Sequence, residues 1–411
     1  MAAAADDDRH LFLPGASLVV LVTRRVRRNL EPVDAERLDA ELPADEADRA
    51  ARSRALEFVH MHDRIAHGAD AIGYLRRVLD SLRVDDPENR LAGVRLCSDL
   101  PLADPQFIRA NGGWVLDLPD NGLDRLEYKL ELCDHDGDTA VVCDPGNPER
   151  APGAFGEKSV LLGPGYRAPA WLERPAVEGA VDATTVRVLG RDLDIAIWSP
   201  CDGPLPLLVA HDGPEYDELA ALTRYAGAMI EAGTLAAFRI ALLPPGDRDE
   251  WYSASAAYGR SLCNRVLPRL REHVPVTGLP VGMGASLGGL AMLQAQRTWP
   301  GSFAGLFLQS ASFFVPRFDR HESGFPRYAR IVRFVRRVLR TATFGEPVPM
   351  AMTCGAEEEN VYNNRLMASA LAAQGYDGHL SEVPDLHNYT SWRDALDPYL
   401  TSVLASLWQQ R

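Results

Sequence analysis

Leu279-Pro280-Val281-Gly282-Met283-Gly284-Ala285-Ser286-Leu287-Gly288-Gly289-Leu290 is the stretch on which the reading of the chain turns. A short apolar run leads into G-x-S-x-G, Gly284 to Gly288, and an apolar-faced helical pattern over 287–298 leads out of it. Strand, tight turn and helix in that order hold a nucleophilic serine on a strained backbone at the edge of a sheet. The turn is tight enough that the residues two before and two after the serine must lack side chains, and Gly284 and Gly288 meet that need. The competing reading is a helix N-cap serine after a glycine turn.

Outward from this segment, apolar runs alternate with helical patterns. Strands are expected at 185–189, 194–198, 205–210, 238–243, 279–283, 305–308, 349–353 and 378–383, and helices at 219–232, 254–273, 287–298, 328–339, 363–374 and 392–408. Near-continuous apolar strands alternating with helices predict a parallel sheet covered on both faces, an α/β catalytic domain over 176–411. Upstream, 91–166 shows short period-two runs such as Val94-Arg95-Leu96 and Leu126-Glu127-Tyr128-Lys129-Leu130, with Asn-Gly and Asp-Gly turns. That rhythm predicts a small β-sandwich over 91–175, closed by a linker marked by Pro164, Gly165, Pro169 and Pro175. In 1–90, Leu38, Leu42, Ile72, Leu75, Leu79 and Leu82 recur at helical spacing, which predicts a helical N-terminal segment.

The balance of charge narrows the class of partner. The 411 residues carry 43 Lys+Arg against 57 Asp+Glu, a net charge of −14, with 46% apolar and 24% charged residues. This is a globular composition, and the negative balance argues against a nucleic-acid binder, which needs a basic surface to meet phosphate. The early apolar run from Leu18 to Thr23 follows Asp6-Asp7-Asp8, has no cleavage pattern and is too short to span a bilayer. It reads as a buried strand, so no membrane association is expected and the compartment is read as cytoplasmic. Six cysteines spread singly, without C-x-x-C, suggest reduced and mostly buried thiols rather than disulfides or zinc. His60, His62 and His67 are close in sequence, but on a helix His60 and His62 point about 200° apart. No metal or other cofactor is expected.

A serine hydroxyl needs a base to take its proton. His387, in Pro384-Asp385-Leu386-His387-Asn388, follows the last expected strand and precedes the closing helix. Loops leaving the carboxyl ends of parallel strands share one crevice, so His387 and Ser286 can meet there; a turn-capping role is the bland alternative. The acid that orients the imidazole is sought after the penultimate strand, in Gly355-Ala356-Glu357-Glu358-Glu359. Glu358 is the choice, with Glu357 and Asp385 as rivals. The oxyanion needs two donors. One is the Leu287 amide at the start of the following helix; the other comes from His211-Asp212-Gly213-Pro214-Glu215. Pro214 has no amide hydrogen, which leaves Gly213 or Glu215, and Gly213 is carried forward.

These motifs together resemble the enterochelin (ferric enterobactin) esterase branch of the esterase D family of α/β-hydrolases. The resemblance rests on His211-Asp212-Gly213, Arg248 with Glu250 and Tyr252, the Gly284–Gly289 elbow, Trp299-Pro300 with Phe303, Gln309-Ser310 with Ser312, Gly355 with Glu358 and Asn360, and His387 with Trp392-Arg393. Gly113-Trp114, Tyr128-Lys129-Leu130 and Asp144-Pro145 with Asn147-Pro148 resemble the early-set, immunoglobulin-like sandwich that accompanies such esterases. The resemblance implies an α/β-hydrolase that cleaves the ester bonds of a trilactone catecholate siderophore and releases iron inside the cell. Asp212, Arg248 and Trp392 lie within its motifs and are candidates for substrate contact.

One further feature bears on a small-molecule ester substrate that is anionic, such as a ferric siderophore. An insertion between the strands near Leu308 and Met350 carries Arg317, Arg320, Arg327, Arg330, Arg333, Arg336, Arg337 and Arg340. Arg317 and Arg320 are the candidate pocket members. Tyr328, Ile331, Val335 and Val338-Leu339 form an apolar face that makes the later arginines the solvated side of an amphipathic helix. A feruloyl or acetyl esterase acting on carbohydrate, an acyltransferase of the same fold, and a catalytically silent binding protein are the alternative functions.

Overall fold

A computed structural model describes residues 81–119 and 121–408. The expected early strand at Leu18, the histidines at 60–67 and nearly all of the expected helical segment lie outside the described residues. Leu82 is the exception. It belongs to a strand, β1 (Ser81–Asp85), because Leu82 and Val84 alternate inward between exposed neighbours.

Eight strands precede the catalytic sheet: β1, β2 (Leu91–Cys97), β3 (Ile108–Ala110), β4 (Gly113–Asp117), β5 (Arg125–Asp134), β6 (Thr139–Val142), β7 (Arg150–Ala151) and β8 (Lys158–Leu162). They make two antiparallel sheets, β1-β4-β3 and β2-β5-β8-β7 with β6 on β5. Leu82, Val84, Trp114 and Leu116 of the first meet Val94, Leu96, Leu126, Tyr128 and Leu130 of the second in one apolar core.

The remaining strands, β9 (Ala180–Val188), β10 (Arg191–Ser199), β11 (Leu207–His211), β12 (Arg239–Leu243), β13 (Val281–Ala285), β14 (Gly305–Gln309), β15 (Met350–Gly355) and β16 (Leu380–Val383), form one sheet in the order β16-β15-β14-β13-β11-β12-β10-β9. From β12 to β16 every pairing is parallel. β9 and β10 depart from the expected parallel order. The two-residue turn Leu189-Gly190, both at positive φ, returns the chain as a hairpin, and two residues cannot make a parallel crossover. The helices are α1 (Gly213–Ala220), α2 (Leu222–Glu231), α3 (Arg248–Trp251), α4 (Ala256–Ser261), α5 (Leu267–His273), α6 (Leu287–Thr298), α7 (Tyr328–Arg340), α8 (Val361–Ala373), α9 (Tyr389–Asp394) and α10 (Thr401–Trp408). The sheet has two buried faces because its side chains alternate. Leu207 and Val209 join Leu262, Leu290, Ile331 and Met367 on one side, while Leu208 and Ala210 join Leu222, Tyr225, Met229 and Leu404 on the other. This is the expected α/β fold, and it collects the loops after β11, β13, β14, β15 and β16 along one edge.

Candidate active site

Ser286 sits between β13 and α6 at φ 54°, ψ −126°, a conformation that L residues rarely adopt. Neighbouring backbone holds it there: its amide donates to the Gln309 carbonyl at 2.9 Å and its carbonyl accepts from the Ser312 amide at 3.1 Å. A Cβ on Gly284 would lie 2.6 Å from the Gly288 carbonyl carbon, so the turn closes only with glycine. Ser286 occupies the cap position of α6, yet its side chain makes no cap hydrogen bond. The hydroxyl meets that of Ser312 at 3.1 Å instead, leaving the helix amides from Leu287 onward to serve another acceptor.

Glu358 follows β15 and is 2% exposed. Its Oε2 accepts from Ser310 Oγ at 3.0 Å and its Oε1 from Cys354 Sγ at 2.7 Å. Burial, with the carboxylate beside it, pushes the Cys354 thiol well above its ordinary pKa, so it stays an S–H donor. His387 Nδ1 lies 3.4 Å from Glu358 Oε2. That is ion-pair distance rather than an aligned hydrogen bond, and Nδ1 is buried with no other partner. Burial works against the imidazolium more than any single neighbour favours it, but Glu358, Asp99 and Glu359 together raise the His387 pKa above its usual value. The Trp392 ring stands edge-on to the imidazole with centroids 5.1 Å apart, and its indole donates to Ser310 Oγ at 3.1 Å. His387 caps no helix; the cap of α9 is Asn388, which accepts from the Ser391 amide. Asp385 is turned away toward Arg125, whose Nη1 donates to it at 2.7 Å.

The loop after β11 adjoins the elbow. His211 Nδ1 donates to the Gly288 carbonyl at 3.0 Å and its Nε2 accepts from Tyr258 Oη at 2.8 Å. Full burial holds the His211 pKa down at about 4, so it is a neutral strut. Gly213 opens α1 against β12, where a Cβ would lie 2.3 Å from Leu242 Cα. Gly213 and Glu215 both lie in the first turn of α1, with Pro214 between them. Asp212 is gripped by Arg248 through Nε at 3.0 Å and Nη2 at 2.9 Å. Each therefore satisfies the other, rather than standing ready as a free charge.

The structure thus gathers Ser286, Leu287, Asp212, Gly213, Arg248, Glu358, His387 and Trp392 along the loops at the carboxyl ends of the strands. It leaves Arg317 and Arg320 exposed, Arg317 lying over the Phe318 ring at 5.0 Å. Arg327 and Arg330 both pair with Glu250, tying α7 to α3. Ile331, Phe334, Val335 and Val338 are buried, while Arg333, Arg336, Arg337 and Arg340 face solvent. Sequence reasoning missed Cys354 and gave no role to Ser310 or Ser312. All six cysteines are free, but Cys201 is exposed and only Cys263 and Cys354 are buried. Ser310, at φ 46°, is the second strained serine of the site.

The Esterase family model matches residues 187–402, just over half of the chain. An iron(III) enterobactin esterase of Dickeya dadantii is 28% identical over 215 residues, a match that spans 46% of each protein, so the chain aligns with about half of that relative's length. Among solved structures, the enterobactin esterase of Shigella flexneri, crystallised in the presence of enterobactin, is 19% identical with a TM-score of 0.61, over 80% of this chain and 92% of that one. The ferric enterobactin esterase of Salmonella typhimurium is 20% identical with a TM-score of 0.63, over 80% and 93%. At these identities the structural likeness speaks for the fold.

Proposed function

The chain belongs to the Esterase family of carboxylic ester hydrolases, and from that premise we propose that it is a serine esterase whose base is His387 and whose triad acid is Glu358. The observation that carries the reading is the strained Ser286 at the start of α6, on the same sheet edge as the His387–Glu358 pair at 3.4 Å. His387 takes the Ser286 proton as Oγ attacks the ester carbonyl. The oxyanion accepts hydrogen bonds from the Leu287 and Gly213 amides, which the helix starts leave unpaired along their own axes. Glu358, held by Ser310 and Cys354, stabilises the imidazolium. His387 then protonates the departing alkoxide, and water, deprotonated by the same imidazole, releases the acyl group.

The proposed substrate is a trilactone catecholate siderophore, on the strength of the similarity to the Dickeya dadantii protein. Cleaving the lactone separates three linked catecholates, and loss of their high effective concentration loosens the iron they hold, inside the cell in this reading. No helix among the described residues is long and apolar enough to cross a membrane. The test incubates wild type and Ser286→Ala with ferric trilactone siderophores, feruloylated sugars and short acyl thioesters, and identifies products. Linear catecholate esters formed by wild type, with turnover at least ~10⁴-fold lower in Ser286→Ala, are expected. Full activity in Ser286→Ala would end the serine mechanism; products from the sugars or thioesters alone would end the siderophore assignment.

A further inference from the structure

The base of this site is not held by the catalytic sheet alone. His387 lies in a short loop between β16 and α9; β16 is an edge strand of four residues, partly exposed and paired only to β15. The two antiparallel sheets of the N-terminal region grip that loop on both sides of the histidine. Before it, the Pro384 carbonyl accepts from the Asp124 amide at 2.8 Å. Leu386 is 1% exposed and belongs to the apolar core of those two sheets, beside Leu123 and Leu126. Arg125, at the start of β5 and 2% exposed, donates through Nη1 to Asp385 Oδ2 at 2.7 Å and to Asn388 Oδ1 at 3.0 Å, while Nη2 pairs with Glu127. Asp385 Oδ1 in turn accepts from the Leu386 amide at 2.7 Å and Asn388 Nδ2 at 2.9 Å. Asn388 Oδ1 caps α9, the helix that carries Trp392 against the imidazole.

We propose that the N-terminal pair of sheets is a positioning element for the catalytic base, with Arg125 and the inserted Leu386 fixing the loop in which His387 stands. This rests on the reading of His387 as the base. A buried guanidinium between two carboxylates has a direction as well as a charge, because its planar fork accepts partners only at set angles. Residues 385 and 388 bracket His387, so locking both leaves the imidazole little freedom to swing away from Glu358. Misplacement of a reacting group by about 1 Å can cost about 100-fold in rate. The N-terminal sheets thereby contribute to the chemical step, beyond any part in shaping access to the crevice.

The experiment uses the full chain with a neutral aryl ester, and compares Arg125→Met, Arg125→Lys, Asp385→Asn, Leu386→Ala and His387→Ala by kcat, KM, the pH dependence of kcat/KM and melting temperature. Arg125→Met leaves buried carboxylates unpaired and can fail to fold; Asp385→Asn and Leu386→Ala then decide. For these two, a fall in kcat of roughly 10- to 100-fold is expected well below the melting temperature, with KM within about twofold. Arg125→Lys should keep more activity than Arg125→Met, since it retains the charge without the fork. The acid-limb midpoint of Asp385→Asn and Leu386→Ala should move to lower pH, because an imidazole that drifts from Glu358 loses the charge that raises its pKa against burial. Lower melting temperatures with unchanged kcat in both Asp385→Asn and Leu386→Ala would overturn the proposal. Full activity in His387→Ala would instead remove the reading on which it stands.

Discussion

The loop that carries Ser286 and the loop that carries His387 are held in opposite ways. Ser286 stands between a fully buried central strand and a buried helix, and its strained backbone is fastened by the adjoining end of β14 and by the glycines on either side. Its geometry is a property of a dozen consecutive residues and their nearest strand. His387 stands at the sheet's edge, beyond a four-residue strand, and its loop is secured by Arg125 and Asp124, about 260 residues earlier in the chain. In the proposed mechanism, a nucleophile on a tight turn is built locally, while a base reaching in from an edge loop borrows rigidity from another part of the fold. Glu358 occupies the middle ground, because Cys354 lies in β15 just before it and Ser310 follows the neighbouring β14.

Replacing Glu358 tests whether the edge loop has a second anchor of comparable weight. Glu358→Gln should lower kcat by about 10³- to 10⁴-fold, as loss of a triad acid does, while Glu357→Gln should stay within a few-fold. The pH profile sharpens this. Glu358 raises the His387 pKa against the effect of burial; with Gln only the burial and the weaker carboxylates remain, so the acid limb of kcat/KM should move to lower pH. A shift to higher pH, or an equal loss in Glu357→Gln, would break the assignment. Gly284→Ala probes the local side of the contrast. Its Cβ collides with backbone rather than with a movable side chain, so a cost of about 1–3 kcal/mol in unfolding free energy and a rate loss of about 100-fold are expected from denaturant titration and kinetics. Full activity would show that the elbow is less tight than its φ and ψ imply. The smallest effect belongs to Arg317→Ala with Arg320→Ala. These exposed cations should change KM for an anionic aryl ester by no more than a few-fold, in a salt-dependent way, and leave a neutral ester unaffected; a drop in kcat for the neutral ester would place them in the chemistry.

The legible parts of this protein are those whose physics is short-range. Apolar runs located β11 to β15 to within a few residues, since a strand buried on both faces must be apolar throughout; β9, β10 and β16 are partly exposed and carry a weaker apolar signal. The hairpin of β9 and β10 was read as parallel because periodicity carries no direction; the Leu189-Gly190 turn does. Leu82 was read as helical because a lone apolar spacing fits two periods, and packing against Trp114 and Leu116 chose the strand. The arginine insertion divided where its apolar stripe began: Phe334, Val335 and Val338 went into the core, and the cations beyond them were left to solvent.

The G-x-S-x-G segment was decided by sequence, because a side chain at Gly284 is excluded by the Gly288 backbone a few bonds away, even though the space at Gly288 is closed by His211 and Asp212 from a distant loop. Which of three carboxylates faces His387 was not. Glu357, Glu358 and Asp385 are chemically alike, and their difference lies in partners distant in sequence: Ser310 and Cys354 turn Glu358 toward the imidazole, and Arg125 turns Asp385 away from it. Only the tertiary structure makes that distinction, because an ionised carboxylate buried from water must point at whatever donors the fold brings to it.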